Sequence, residues 1–269
     1  MEYDKNKVHK GRKMKLAKDD LFLLDFKEKV LKGKYSPEAF LYSSRERKVC
    51  IKTLYNYVHE EYIDGLKVEY LPYARRKKKK KEKVVKKKFV RGTSIEKRPD
   101  NILMRNEYGH WEMDTVYSSR DDKTCLLVLS ERATREEIVI RVKDRTSKSI
   151  IRAVDRLERS MGTPRFRSTF RTITCDNGVE FAKWKLLERS CINKGKRTVV
   201  YFCHPYSSYE RGTNENINRM IRRWIPKGDD IGLYTAKEVE EIQNWINNYP
   251  RGIFGGLSSK QYKELIFCI

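Results

Sequence analysis

The sequence predicts an α/β domain on a mixed sheet, preceded by a small helical segment and a basic linker. Three observations carry this. Strand-like apolar runs lie beyond residue 108, helical periodicity dominates before residue 63, and a run of like charge separates the two.

The separating run is the clearest boundary. The chain has 269 residues and a net charge of +23, of which residues 73–98 contribute +12, residues 1–72 only +4 and residues 99–269 only +7. Like charges at that density repel, and the run offers little to bury, so 73–98 reads as an extended linker. Arg75 and Arg76 open it. It is either a solvated spacer or a contact to a polyanion's phosphates, which releases counterions. The basic excess names nucleic acid as the first partner class and an acidic membrane surface as the second.

Other classes are excluded. With 39% apolar and 11% aromatic residues the chain can build a core. No apolar run approaches the roughly 18 residues of a membrane span, and residues 1–18 lack the apolar stretch of a signal peptide. The six cysteines form no CxxC pair and only four histidines are present, which argues against structural zinc and for free thiols in a reducing cytoplasm.

Before the linker, residues 19–32 read as a helix with Gly33 at its C-terminal end. Ser36-Pro37-Glu38 is a helix start, with a capping serine and proline in the first turn. Ile51, Leu54, Tyr55 and Val58 form one apolar stripe of a third helix over 51–62, opposite Lys52, Thr53, Asn56 and His59. Cys50 stands where a capping serine is common, which weakens that helix start by up to ~1 kcal/mol. Short helices ending in a polar, cationic face suit a helix-turn-helix, and equally a plain helical bundle.

Beyond the linker, residues 111–117 alternate as a strand with Glu112, Asp114 and Val116 on one face. Residues 125–130 and 138–142 are further strands, joined by segments too short for helices, so an antiparallel meander is expected. An amphipathic helix follows on Ile150, Val154, Leu157 and Met161, capped by Thr146 or Ser147. Strands at 172–176 and 198–203 complete a mixed sheet with helices on both sides.

Three acids stand out. Asp114 lies mid-strand, where an isolated carboxylate is costly unless paired or metal-bound. Asp176 ends a strand before Asn177-Gly178, at the kind of strand end where open α/β sheets build sites. Glu215 lies on a helix over 214–224, whose residues Ile217, Met220, Ile221 and Trp224 face the sheet while Glu215, Asn218, Arg219 and Arg222 face outward. That outward pattern is either a surface i,i+4 ion pair or a metal ligand beside phosphate-holding groups. No P-loop, GxSxG elbow or dinucleotide loop is present.

The strings Gly109-His110-Trp111-Glu112-Met113-Asp114-Thr115-Val116, Asp176-Asn177-Gly178-Val179-Glu180-Phe181 and Tyr201–Asn216 resemble the insertion-sequence-thirty family of bacterial transposases. So do Ile225-Pro226-Lys227-Gly228, Lys52–Tyr57, Gly92–Ile95 and Arg98-Pro99. The resemblance implies a ribonuclease-H-like integrase core with an Asp-Asp-Glu triad at Asp114, Asp176 and Glu215. Glu210 is the competing third acid. It also implies two divalent ions, Mg²⁺ or Mn²⁺, as cofactors.

On this reading Arg211, Asn214, Asn218 and Arg222 hold phosphates near the site, and Lys52, Thr53 and Asn56 touch the terminal repeat. The partners are double-stranded DNA, as element ends and target, and further copies of the chain in a synaptic dimer or higher oligomer. No membrane is involved, and the location is the bacterial cytoplasm at the nucleoid. Family members usually carry a further N-terminal helix-turn-helix region that nothing here matches, so a truncated frame or a shorter variant is expected. Thirty-eight residues separate Asp176 from Glu215, somewhat more than expected of the family, and the surplus is placed in a loop near 193–197. A catalytically silent DNA binder that competes with a full-length transposase is the alternative function. A nuclease of the same fold would cleave without joining.

Overall fold

The computed structural model describes residues 14–72, 92–117, 123–205, 207, 210 and 212–268. Arg75, Arg76 and Arg211 lie outside the described residues. Two compact units are present, one of residues 14–72 with 250–256 and one of residues 92–249 with 257–268.

In the first unit, Asp20 caps helix α1 (Leu21–Leu31) by accepting the Phe22 N–H. Ser36 caps α2 (Pro37–Ser43) by accepting the Ala39 N–H at 3.2 Å. Cys50 makes no side-chain cap for α3 (Ile51–His59). Phe22, Phe26, Phe40, Leu54 and Val58 meet in the unit's core.

Two helix ends differ from expectation. The left-handed backbone after α1 falls on Lys34 (φ 56°), not Gly33. Gly33 is there for space, since a Cβ would stand 2.8 Å from the Lys29 carbonyl oxygen. Helix α3 stops at His59 because Glu61 turns left-handed (φ 52°) and Tyr62 donates its N–H back to the Tyr57 carbonyl at 2.8 Å, a Schellman closure.

The second unit is a six-stranded sheet in the order β1-β6-β5-β2-β3-β4. Its strands are β1 (Thr93–Ser94), β2 (His110–Val116), β3 (Cys125–Glu131), β4 (Glu137–Val142), β5 (Thr172–Cys175) and β6 (Val199–Phe202). Strands β2, β3 and β4 form the antiparallel meander, while β5 runs parallel to β2, and β6 to β5. The sixth strand, β1, lies in a stretch that reads as linker. Its two residues pair with Tyr201 and Phe202, too few for any periodicity to reveal. Arg98, just after it, is buried and donates to Thr174 Oγ1 at 3.1 Å.

Helices α4 (Ser147–Met161), α5 (Thr163–Thr169) and α6 (Trp184–Glu188) precede the site helix α7 (Gly212–Ile221), and α8 (Ala236–Asn248) and α9 (Ser259–Phe267) end the chain. Thr146 caps α4 as expected. Alternation along β2 splits the sheet into two faces. Trp111 and Met113 pack with Ile173, Val200, Ile150, Val154, Phe166 and Phe170 in one apolar core. The other face carries His110, Glu112 and Asp114. Glu112 is wholly buried and ion-paired with the buried Arg132, a pair in which losing either partner costs roughly 3–5 kcal/mol.

The β4 edge is closed by side-chain amides of α8. Gln243 accepts from Val139 N–H, and Asn247 both accepts from and donates to the Glu137 backbone. No helix among the described residues is long and apolar enough to cross a membrane.

Candidate active site

Asp114 is the fifth residue of β2 and half-buried. Asp176 follows β5 directly. The β2–β5 register pairs Glu112 with Thr174. Carried two residues further, it sets Asp114 beside Asp176 at the carboxyl ends of neighbouring parallel strands. The sheet therefore sets the two acids at the ends of adjacent strands.

Each is held by its own turn. Asp114 Oδ1 accepts the Thr115 N–H at 2.9 Å, and Asp176 Oδ1 accepts the Gly178 N–H at 2.8 Å. Asn177 pins the second turn to β6 by donating to the Cys203 carbonyl at 2.7 Å. A Cβ at 178 would stand 2.5 Å from Glu180 Oε2 and 2.9 Å from Asp176 Oδ1, so a larger residue there would push these carboxylates aside. The same numbers show that the Glu180 and Asp176 carboxylates flank one point.

Glu180 is a buried acid that sequence reading passed over. Its Oε1 accepts from Thr115 Oγ1 at 2.8 Å and from Arg145 Nη2 at 2.9 Å. Burial pushes its carboxyl up, but hydrogen bonds from its own N–H, Arg145 and Thr115 outweigh this and hold it below the usual range. Arg145 also lies over the Tyr117 ring, 3.8 Å from the centroid. The available signal was its place in the Asp176–Phe181 string.

Helix α7 buries Ile217, Met220 and Ile221 as its amphipathic pattern predicts, but the residues at the margin of that stripe also reach inward. Asn218 faces the sheet and donates to Asp114 Oδ2 at 3.1 Å. Arg222 also turns inward, giving its Nη2 to the Tyr117 carbonyl at 2.6 Å. Asn214 is buried, and neither of its amide atoms has a partner. Glu215 and Arg219 are exposed and bonded to one another at 2.6 Å. The structure thus ties Asn218 to Asp114 and leaves the Glu215 carboxylate on Arg219.

Glu210 is engaged elsewhere. Its two oxygens take the His204 ring Nδ1 at 2.7 Å and the His204 N–H at 2.9 Å, while His204 Nε2 lies 3.1 Å from Glu96. These carboxylates raise the His204 pKa above the usual value. In the first unit, Lys52 and Asn56 are exposed on α3, and Thr53 is half-buried with its Oγ1 3.2 Å from Cys50 Sγ.

Asp114 and Asp176 are oxygen donors of the kind Mg²⁺ and Mn²⁺ prefer, so this donor set fits a divalent ion. Among the described residues, the group of three potential ligands with metal-ligand spacing is Asp155, Glu158 and Cys191. Arg197 already fills it, its Nη1 lying 2.7 Å from Asp155 Oδ1 and 2.9 Å from Glu158 Oε2. Arg197 follows a tight hairpin at 189–196, where Lys194 is left-handed, so the 193–197 loop carries a buried structural cation.

A mixed sheet with acids at its parallel strand ends defines an integrase-type core, and residues 105–208 match the family model of the integrase core domain. The chain is 36% identical to a probable transposase for insertion-like sequence element IS1161 of Streptococcus salivarius, over 86% of this chain and 65% of that protein. It is 30% identical to the transposase for insertion sequence element IS4351 of Bacteroides fragilis, over 88% of this chain and 72% of that protein. It is 34% identical to transposase InsI for insertion sequence element IS30A of Escherichia coli K12, over 66% of this chain and 43% of that protein. The chain belongs to this family of insertion-sequence transposases, the insertion-sequence-thirty family, and spans between 43% and 72% of the length of these relatives.

Proposed function

We propose that the chain is a DNA transposase that binds the ends of an insertion sequence and catalyses metal-dependent cleavage and strand transfer. The observation that carries this is that Asp114 and Asp176 each lie two residues beyond the Glu112–Thr174 pair of the parallel strands β2 and β5, within an integrase core domain. Asp114 and Asp176 would hold the divalent ions, Mg²⁺ or Mn²⁺, with Glu215 as the third ligand. Such ions, when bound, supply activation of a water or 3′-hydroxyl and stabilisation of the leaving oxygen.

The protein's own groups do the rest. Asn218 fixes the Asp114 carboxylate, and the Gly178 N–H fixes that of Asp176. Arg219 would take a phosphate, which would free Glu215 for the aspartates. Arg211 and Arg222 provide further phosphate contacts, and Asn214 joins them once α7 shifts. Lys52, Thr53 and Asn56 read the terminal repeat, and the basic residues of 73–98, Arg75 and Arg76 among them, tether DNA without reading sequence. The partners are double-stranded DNA and a second copy of the chain in the synaptic complex, at the bacterial nucleoid.

The test is a strand-transfer assay with labelled element ends and Mg²⁺. Asp176→Asn should abolish joining while end binding survives. Undiminished joining overturns the assignment, cleavage without joining indicates a nuclease, and end binding without either activity in the unaltered chain indicates the silent competitor.

A further inference from the structure

A buried acid beside a metal site needs a reason, because a third negative charge near Asp114 and Asp176 adds to their mutual repulsion. Glu180 has neighbours that supply one. Its Oε1 takes both the Thr115 hydroxyl and the Arg145 guanidinium. Thr115 gives its backbone N–H to Asp114, and Gly178, whose missing Cβ leaves room for the Glu180 oxygen, gives its own to Asp176. One carboxylate therefore touches the immediate support of both aspartates.

Arg145 is the second half of the observation. It is a permanent cation at the same sheet end, lying over the ring of Tyr117, three residues after Asp114. Its Nε has no partner, and Glu180 is the only carboxylate it pairs with among the described residues. An uncompensated guanidinium there would be drawn to the aspartates and would oppose any cation binding to them.

We propose that Glu180 is a positioning residue of this site, whose carboxylate holds Arg145 and Thr115 so that the guanidinium does not compete with a divalent cation for Asp114 and Asp176. The inference rests on the reading that these aspartates hold the metal.

The experiment is a Mn²⁺ titration of the full chain, followed by the electron paramagnetic resonance signal of free Mn²⁺, with thermal melting in parallel. Glu180→Gln keeps shape and removes the charge, and should weaken Mn²⁺ binding roughly tenfold. Glu180→Gln combined with Arg145→Gln should regain most of that loss, a rescue that a purely structural role does not give. Binding by Glu180→Gln within about twofold of wild type, or no rescue in a folded double variant, overturns the proposal. Should Glu180→Gln fail to fold, Arg145→Gln alone decides. It should bind Mn²⁺ at least as tightly as wild type, and weaker binding contradicts the proposal. Asp176→Asn separates the two levels, since unchanged Mn²⁺ binding there shows that the aspartate assignment itself is at fault.

Discussion

The Asn218 side-chain amide donates to Asp114 Oδ2 across 3.1 Å, tying helix α7 to the strand that carries the first acid of the site. On the proposed reading, this bond orients a carboxylate whose remaining lone pairs hold a cation. Groups that orient metal ligands are worth about 10- to 100-fold in affinity or activity. Asn218→Ala should therefore lower strand transfer by about that factor while leaving end binding intact, as read by parallel joining and gel-shift assays.

Glu215 and Arg219 form an exposed i,i+4 pair, worth only a few tenths of a kcal/mol to the helix. Arg219→Ala should leave the melting temperature nearly unchanged. It should also lower the Mg²⁺ concentration for half-maximal joining by a few-fold, because Glu215 no longer has a competing cation. A higher Mg²⁺ requirement would show that Arg219 serves only the phosphates.

The Arg197–Glu158 pair sits wholly inside the second unit. Burial pushes the Glu158 carboxyl up, but hydrogen bonds from Ser190, the Cys191 N–H and Arg197 prevail and hold it at about 2. A carboxyl depressed on folding contributes stability that is present above its unfolded pKa and lost as pH falls towards the folded one. Wild-type stability should thus decline between roughly pH 4.5 and 2 through this group. Arg197→Met leaves Glu158 buried and unpaired and should cost roughly 3–5 kcal/mol, measured by urea denaturation at pH 7.

Lys52 and Asn56 project from one face of α3, four residues apart. If that face enters a groove, Lys52→Ala should weaken end binding for all sequences and reduce the salt slope by about one. Asn56→Ala should instead lose about 1–3 kcal/mol of discrimination between the terminal repeat and unrelated DNA. Fluorescence anisotropy at several salt concentrations measures both.

The sheet was legible from the chain because its signals are local. Alternation through Trp111 and Asp114, the apolar run of β3 and the Asn177-Gly178 turn each declare themselves within a few residues. What escaped depends on distance. Helical periodicity separates the Ile217 and Ile221 stripe from its opposite, but it does not say that Asn218 and Arg222, at the stripe's margin, meet β2. Glu158 and Arg197 are far apart in sequence, and no local pattern announces a buried ion pair. Strand β1 has two residues and hides among like charges because pairing with β6, not its own composition, makes it a strand.

Glu180 was invisible for another reason. A single acid in a turn reads as surface charge until its partners are known. Besides its place in the Asp176–Phe181 string, the glycine at 178, where a side chain would press on the Glu180 and Asp176 carboxylates, is the sequence-level trace of its inward carboxylate.

The most direct test of Asp114 and Asp176 as metal holders is ligand softness. Asp176→Cys replaces a hard oxygen with sulfur, which Mg²⁺ binds poorly and Mn²⁺ tolerates better. In the strand-transfer assay this variant should fail with Mg²⁺ and recover a measurable part of joining with Mn²⁺. Wild-type joining in Mg²⁺, or no recovery in Mn²⁺ by a variant that melts like the wild type, would contradict the assignment.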